Sequence, residues 1–315
     1  MATSPGYDAL HRTAAWLDLS SRDKIKMLGE DRIRLLHAMT TNNIQQLTPG
    51  SGCYAYFLNA QGRLLADVSV FCRPDHLLLD TEPEAREKVF KHLDQFIIAD
   101  DVTLEDDTDN LALAIEGPQA EAILRGLGAP VPPASYGNEL WNDVLIARLS
   151  YSGVDGFWLF PSSTAQPDLA AQLTAAGAAA GTLEDFDLVR LEHGKPRYGV
   201  DLTERFLSQE ANQPHALNFA KGCYLGQEIV ERVRSRGQVH RVLVPLEIDA
   251  VQPPQPGAKF QENGVNVAEI TSAAYSPALG KVVAMAYVRA DRSAPGSELK
   301  LQDAVARVRP SMSGR

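Results

Sequence analysis

Apolar and polar positions alternate along this chain in short blocks, and each block predicts one element. Ile33, Leu36 and His37 recur at helical spacing behind Asp31, which predicts a helix from Arg32 to about Met39 with Asp31 as its N-cap. Thr40-Thr41-Asn42-Asn43 ends it in small polar residues that can bond their own backbone as a turn. Two strand-like runs, Tyr54 to Leu58 and Leu64 to Phe71, flank Asn59-Ala60-Gln61-Gly62 and predict a hairpin. A third strand follows at His76 to Asp80, after the Arg73-Pro74-Asp75 turn. Glu82-Pro83-Glu84 opens a helix to about Phe96, because the missing donor of proline costs nothing in a first turn. Val102 to Leu104 and Leu111 to Ile115 read as strands, and Gly117-Pro118 starts a helix to Leu127. Residues 128–139, rich in Pro, Gly and Ala, read as a surface connection. Val144 to Leu149 and Phe157 to Phe160 predict another hairpin, followed by helices at Asp168 to Ala180 and Leu183 to His193. Residues 1–30 are mixed and offer only the short apolar piece Ala14 to Leu17.

Strands and helices alternating in this way, with hairpins, predict α+β layers rather than a doubly wound parallel sheet. From Val239 the texture changes to short strands at 242–248, 265–274, 281–288 and 304–309, separated by Pro253-Pro254-Gln255-Pro256-Gly257 and Asn263-Gly264. That pattern predicts a small all-β barrel or sandwich, with the boundary near Gln238.

The 315 residues allow a large core in two or three domains, and 44% hydrophobic with 22% charged residues describes a folded soluble protein. No apolar run is long enough for a bilayer, and the N-terminus lacks the basic-then-apolar order of a secretory signal. Three cysteines, Cys53, Cys72 and Cys223, fit a reducing, cytoplasmic setting and have no zinc-ligand spacing. His193, His215 and His240 are too scattered for a metal site. A net charge of −10 argues against stable binding to nucleic acid. Phosphate-cradling glycine loops and Gly-x-Ser-x-Gly are absent, which removes nucleotide-loop and serine-hydrolase chemistry.

One stretch concentrates chemistry: Lys221-Gly222-Cys223-Tyr224-Leu225-Gly226-Gln227-Glu228. Lys221 stands two residues before the thiol, and the run from Gln227 to Arg234 reads as a short helix with Cys223 just before its start. A nearby cation and a helix N-terminus both favour thiolate. The segment from Lys221 to Arg241 also carries Arg232, Arg234 and Arg236, a local cationic patch on an acidic chain that suits a small anionic ligand or a solvated helix face. Glu192, late in a helix, can accept two parallel N–H bonds from a flat heterocycle or pair with Arg190 or Arg197. Asp67, mid-strand among apolar neighbours, faces either solvent or a cavity.

Taken together, these segments resemble one family. The octapeptide from Lys221 to Glu228 looks like the signature of YgfZ-type folate-binding proteins, relatives of the aminomethyltransferase (T-protein) of the glycine cleavage system. The likeness includes Gly29 to Asn42, Leu58 to Asp67, Arg190-Leu191-Glu192-His193-Gly194 with Tyr198-Gly199, and Ile270-Thr271-Ser272 with Ser276 to Lys281. The resemblance implies a three-lobed ring around a channel for tetrahydrofolate, with lobes at approximately 1–50 with 140–238 and at 51–139, and a C-terminal barrel at 239–315. It implies Glu192 at the pterin, Asp67 at the folate amine, and Lys221 and Tyr224 beside the ligand. Arg232, Arg234 or Arg236 would attract the carboxylates of the folate tail, and Cys223 would be a reactive thiol. The function it implies is a folate-binding accessory protein whose partners are iron–sulfur proteins or their assembly machinery. The alternative is an aminomethyltransferase in which Asp67 assists one-carbon transfer.

Overall fold

The computed structural model describes residues 3–310 other than 108, 110, 238, 263, 302 and 303, and does not describe the side chains of Arg236 and Leu301. The N-terminal stretch is more ordered than its mixed composition predicts. Helix α1 (Pro5–Arg12) starts at Ser4, whose hydroxyl accepts the Tyr7 amide, with Pro5 in the first turn. Strands β1 (Ala15–Asp18) and β2 (Asp23–Leu28) follow, then α2 (Arg32–Met39). Asp31 is the N-cap residue of α2 as predicted, but its carboxylate makes no capping bond; it accepts the Asp101 amide and pairs with Arg34.

The chain continues through β3 (Gly52–Leu58), β4 (Leu64–Cys72), β5 (Leu77–Thr81), α3 (Pro83–Asp94), β6 (Thr103–Asp106), β7 (Leu113–Glu116) and α4 (Ala120–Gly126). Next come β8 (Asn138–Trp141), β9 (Val144–Ala147), β10 (Gly156–Phe160), α5 (Gln166–Ala175), β11 (Ala179–Ala180), α6 (Leu183–Glu192) and α7 (Gln227–Arg236). The last region holds β12 (Arg241–Ile248), β13 (Lys259–Glu262), β14 (Val265–Ser276), β15 (Lys281–Arg289), β16 (Glu298–Leu301) and β17 (Ala304–Val308). The helix expected to reach Ala180 stops at Ala175, because Gly177 turns left-handed and Ala179 pairs in parallel with Ala15.

Three sheets result, in the orders β11-β1-β7-β10-β9-β8, β3-β4-β5-β2-β6 and β13-β14-β15-β12-β17-β16. Residues 23–106 thus supply one sheet, while 15–18 join 113–180 in another. The third sheet curls until its edge strands β13 and β16 meet, around Leu246, Phe260, Val282 and Leu299. The fold is α+β in three lobes, with a C-terminal, nearly closed antiparallel barrel, as the strand texture predicts. Gln238, the expected boundary, lies outside the described residues.

The second sheet and the barrel share one core. Val68, Val70, Leu77 and Leu79 of the second sheet, Leu36 of α2 and Val89 of α3 pack in one cluster with Leu243, Val283 and Met285 of the barrel. Burying such side chains contributes about 1.5–3 kcal/mol each, so the barrel is fixed against the sheet that carries Asp67. Among the described residues no helix is long and apolar enough to cross a membrane.

Candidate functional site

The β3–β4 hairpin places Asp67 opposite Tyr56, and Tyr54, two residues earlier on the same face, donates from its hydroxyl to Asp67 Oδ2 at 2.7 Å. Asp67 Oδ1 is covered and has no hydrogen-bond partner among the described residues. Burial and then repulsion from Glu82 push this carboxyl up to about 6, against the pull of Arg22 and the Tyr54 hydroxyl. An acid so placed exchanges its proton near neutral pH.

Behind it lies a buried ionic row. Arg22 donates to Asp80 at 2.7 Å and also to Glu82, and Arg197 reaches Glu82 at 3.1 Å. The guanidinium of Arg22 also sits 4.8 Å from the Trp158 ring centre, which bridges the first and second sheets. A pair of this kind, broken on one side, leaves a buried charge uncompensated.

In front of Asp67 stands an aromatic wall. The Tyr54 ring is near-parallel to His215, with centroids 5.4 Å apart, and to Tyr136, with centroids 6.5 Å apart. Thr41 and Asn42 hold this corner: Thr41 accepts the Tyr56 amide and donates to Ala216 O, while Asn42 donates to the carbonyls of Tyr54 and His215. Burial drives His215 down to about 4, so the ring is neutral. Lys195 donates to Ser150 O, and burial lowers its proton affinity although Glu116 opposes it. Tyr54, Asp67, Tyr136 and Lys195 are all enclosed by protein, yet solvent reaches part of each. None of the four is sealed in the core.

The Lys221–Glu228 segment is knitted onto this hairpin. Gly226 is left-handed (φ 85°) and precedes α7, and a Cβ there would lie 2.6 Å from Asn59 O; one on Gly62 would lie 2.8 Å from Ile229 Cβ. Leu225 N donates to Ala38 O, and Gln227 Oε1 accepts the Tyr224 amide. Lys221 Nζ donates to the carbonyls of His37 and Thr40 at the end of α2 and lies 4.7 Å from the Tyr224 ring centre. Burial lowers this amine to about 7, and the thiol that opposes the shift is Cys53, not Cys223. Burial in turn pushes Cys53 up to about 12. The pairing of Lys221 with the thiol of Cys223 read from sequence is therefore corrected: the loop turns the lysine inward and leaves Cys223 exposed. Nor does Cys223 abut the helix, whose N-cap is Gly226.

Tyr224 is buried in the shared core. Arg232 and Arg234 are exposed on α7; Arg234 lies 4.7 Å from the ring centre of Phe219 and the Arg236 side chain is outside the described residues. Glu192 Oε1 accepts from Tyr7 at 2.5 Å and Ser276 at 2.6 Å, and Oε2 lies 2.9 Å from His11 Nε2, out of line for a good hydrogen bond. Both of its oxygens thus face protein groups of α1 and the barrel. Among the described residues no cluster of three His, Cys, Asp or Glu is placed to hold a metal.

Residues 3–221 match the GCVT N-terminal domain family. This chain belongs to the GCVT family. Residues 241–310 match the glycine cleavage T-protein C-terminal barrel domain. This GCVT family member is 32% identical to an aminomethyltransferase of Streptomyces coelicolor over 308 residues, covering 92% of this chain and 82% of the relative. A Bacillus subtilis aminomethyltransferase is 27% identical over 310 residues, covering 94% and 85%. In fold the chain is similar to the glycine cleavage system aminomethyltransferase T from Bartonella henselae, with a TM-score of 0.89, 23% identity and coverage of 98% and 89%. Within this GCVT family member, sequence reasoning missed Tyr54, Tyr136, His215 and Lys195. Tyr54 and Tyr56 alternate on the strand opposite Asp67, a signal that was available. Tyr136 gave none, since its Pro- and Gly-rich loop reads as surface while its ring turns inward.

Proposed function

We propose that this chain is a tetrahydrofolate-dependent one-carbon transferase of the aminomethyltransferase type, working in the cytoplasm. The observation that carries the reading is Asp67: a covered carboxylate oxygen without a partner among the described residues, on an acid whose proton affinity is pushed up to about 6, beside three near-parallel rings. A reduced folate fits those residues, because it offers N–H donors to the orphaned oxygen and flat rings to the wall. Most of the curated relatives' length is covered by this chain, and they are named aminomethyltransferase.

When bound, the folate supplies the amine that accepts the one-carbon unit. Asp67 Oδ1 takes or returns the proton at that amine, and the Tyr54 hydroxyl keeps Oδ2 fixed so that Oδ1 alone faces the ligand. Neutral His215 and the aromatic rings keep water from the reacting edge. Arg232, Arg234 and Arg236 on α7 attract the tail carboxylates by long-range charge. Asp67, rather than Glu192, is the carboxylate offered to the ligand, because both Glu192 oxygens face protein groups: Oε1 accepts from Tyr7 and Ser276, and Oε2 lies 2.9 Å from His11 Nε2.

A second reading rests on Cys223, an exposed thiol in a signature-like loop with no part in the transfer. It is a folate-binding accessory protein whose partners are iron–sulfur proteins or their assembly machinery. Release of ammonia from an aminomethylated lipoyl carrier protein, dependent on added tetrahydrofolate, separates the two. The transferase reading expects release that Asp67→Asn abolishes and Cys223→Ser leaves intact. No release by the unmodified chain would refute it and favour the accessory role.

A further inference from the structure

Glu82 occupies a helix-cap position without using it. It is the residue before α3, yet its side chain accepts no amide of the first turn. Only its backbone carbonyl serves the helix, by accepting the Ala85 amide. The carboxylate turns the other way, into protein, and the residue is 5% exposed. Arg22 Nη1 donates to Oε1, while Nε and Nη2 of Arg197 donate to Oε2 at 3.2 and 3.1 Å. Two guanidiniums from separate loops thus fix one carboxylate, an arrangement that a helix cap does not require.

What this carboxylate faces is Asp67. In the β4–β5 pairing Ser69 lies opposite Asp80, and Thr81 Oγ1 donates to Asp67 O at 2.8 Å. Carried two residues beyond that pair, the antiparallel register sets Glu82 against Asp67, just past the end of β5. Residues directly opposite share a face of the sheet, and like charges there repel. Asp80, on the same face, is compensated: Lys24 lies opposite it on β2, and Arg22 donates to both of its oxygens. Asp67 instead meets a carboxylate on one side and Tyr56 on the other. The remaining groups that act on it by charge are Arg22 and Asp80, Tyr54 and Tyr56 of β3, Tyr136 before β8, and Lys195 and Tyr198 after α6. After burial, Glu82 is the largest influence holding the proton on Asp67; Arg22 and the Tyr54 hydroxyl oppose it, and Asp80 adds to it.

We propose that Glu82 is a positioning residue of the transfer: clasped between Arg22 and Arg197, it sets a fixed negative charge across the sheet from Asp67 and acts on the reaction through that acid. The inference rests on the transferase reading above and adds to it the residue that decides at which pH the acid changes form. Glu82 itself takes no proton, since both of its oxygens are engaged. A carboxylate kept only to hold two loops together would change stability when removed and leave the pH dependence of the reaction in place.

The test follows initial rates of tetrahydrofolate-dependent ammonia release from an aminomethylated lipoyl carrier protein as a function of pH. Thermal midpoints are taken alongside, for the intact chain, Glu82→Gln and Arg197→Gln. Glu82→Gln keeps the shape and removes the charge. The limb at which Asp67 changes form is expected to move toward acid by about one pH unit, because Asp67 loses a repelling neighbour and Arg22 a counter-charge. Arg197→Gln leaves Glu82 its charge and one of its two clasps, so the limb is expected to move the other way, toward alkali. A limb that stays in place in Glu82→Gln, with only a lower midpoint or a uniformly lower rate, overturns the proposal. Should Glu82→Gln fail to fold, Arg197→Gln decides: a limb unmoved, or moved toward acid, overturns it. An intact chain that releases no ammonia defeats the transferase reading itself, an outcome distinct from normal release whose pH dependence is indifferent to Glu82.

Discussion

Asp67 is the residue on which the chemistry turns, and its protonation can be followed through stability. Its proton affinity rises from 3.8 to about 6 on folding, so the native state holds the proton more tightly than the unfolded chain. The fold therefore loses stability as pH rises through that window, and the loss is complete above it. Asp67→Asn keeps an acceptor for Tyr54 but cannot ionise. It is expected to melt higher than the unmodified chain at pH 7, with the difference shrinking toward pH 4, while transfer falls by two orders of magnitude or more. A lower midpoint at pH 7 with transfer intact would contradict this account of the acid. The sequence left Asp67 undecided between solvent and cavity, because alternation on one strand does not say what lies opposite. Tyr54 and the loop carrying Tyr136 decide it, and the latter comes from 69 residues downstream, beyond any local pattern.

Among elements, the loop from Lys221 to Glu228 was legible as a unit and misleading in its detail. Its spacing placed a cation two residues from a thiol, but a tight turn sends neighbours in sequence to opposite sides. Lys221 closes the end of α2 and Cys223 is left outside. The glycines differ in the same way. Gly226 is left-handed with Asn59 O at 2.6 Å from the site of a Cβ, whereas a Cβ on Gly222 meets nothing within 4 Å. Gly226→Ala is expected to destabilise by about 1–3 kcal/mol and Gly222→Ala by less than about 0.5 kcal/mol, read from urea midpoints. Equal effects would mean that the hairpin does not pin the loop. Of the short elements, α2 and the β3–β4 hairpin follow their predicted positions closely. Strands β1 and β2 were missed, because four to six residues of mixed polarity carry no period of their own and take their form from β7, β5 and β6.

At the scale of the molecule, Glu192 joins three parts of the chain. Tyr7 of α1 and Ser276 of β14 both donate to one oxygen of a carboxylate at the end of α6, and the Ala278 amide donates to the Tyr7 hydroxyl. Removing that hydroxyl in Tyr7→Phe leaves a buried carboxylate short of a donor. The expected cost is about 1.5–3 kcal/mol in unfolding free energy, with tetrahydrofolate affinity unchanged. A fall in affinity without a fall in stability would instead put Glu192 at the ligand, as the resemblance implied. The barrel was legible because period-two strands and Pro-Gly turns announce it. The grouping of Tyr136, His215 and Lys195 around Asp67 was not, since it forms only where the first and second sheets and the 193–221 loops meet.

The central claim is that these lobes enclose a site for a reduced folate at Asp67. Calorimetric titration of tetrahydrofolate into the intact chain tests it most directly. The account predicts saturable heat at one ligand per chain; no heat and no thermal shift at millimolar ligand would contradict it.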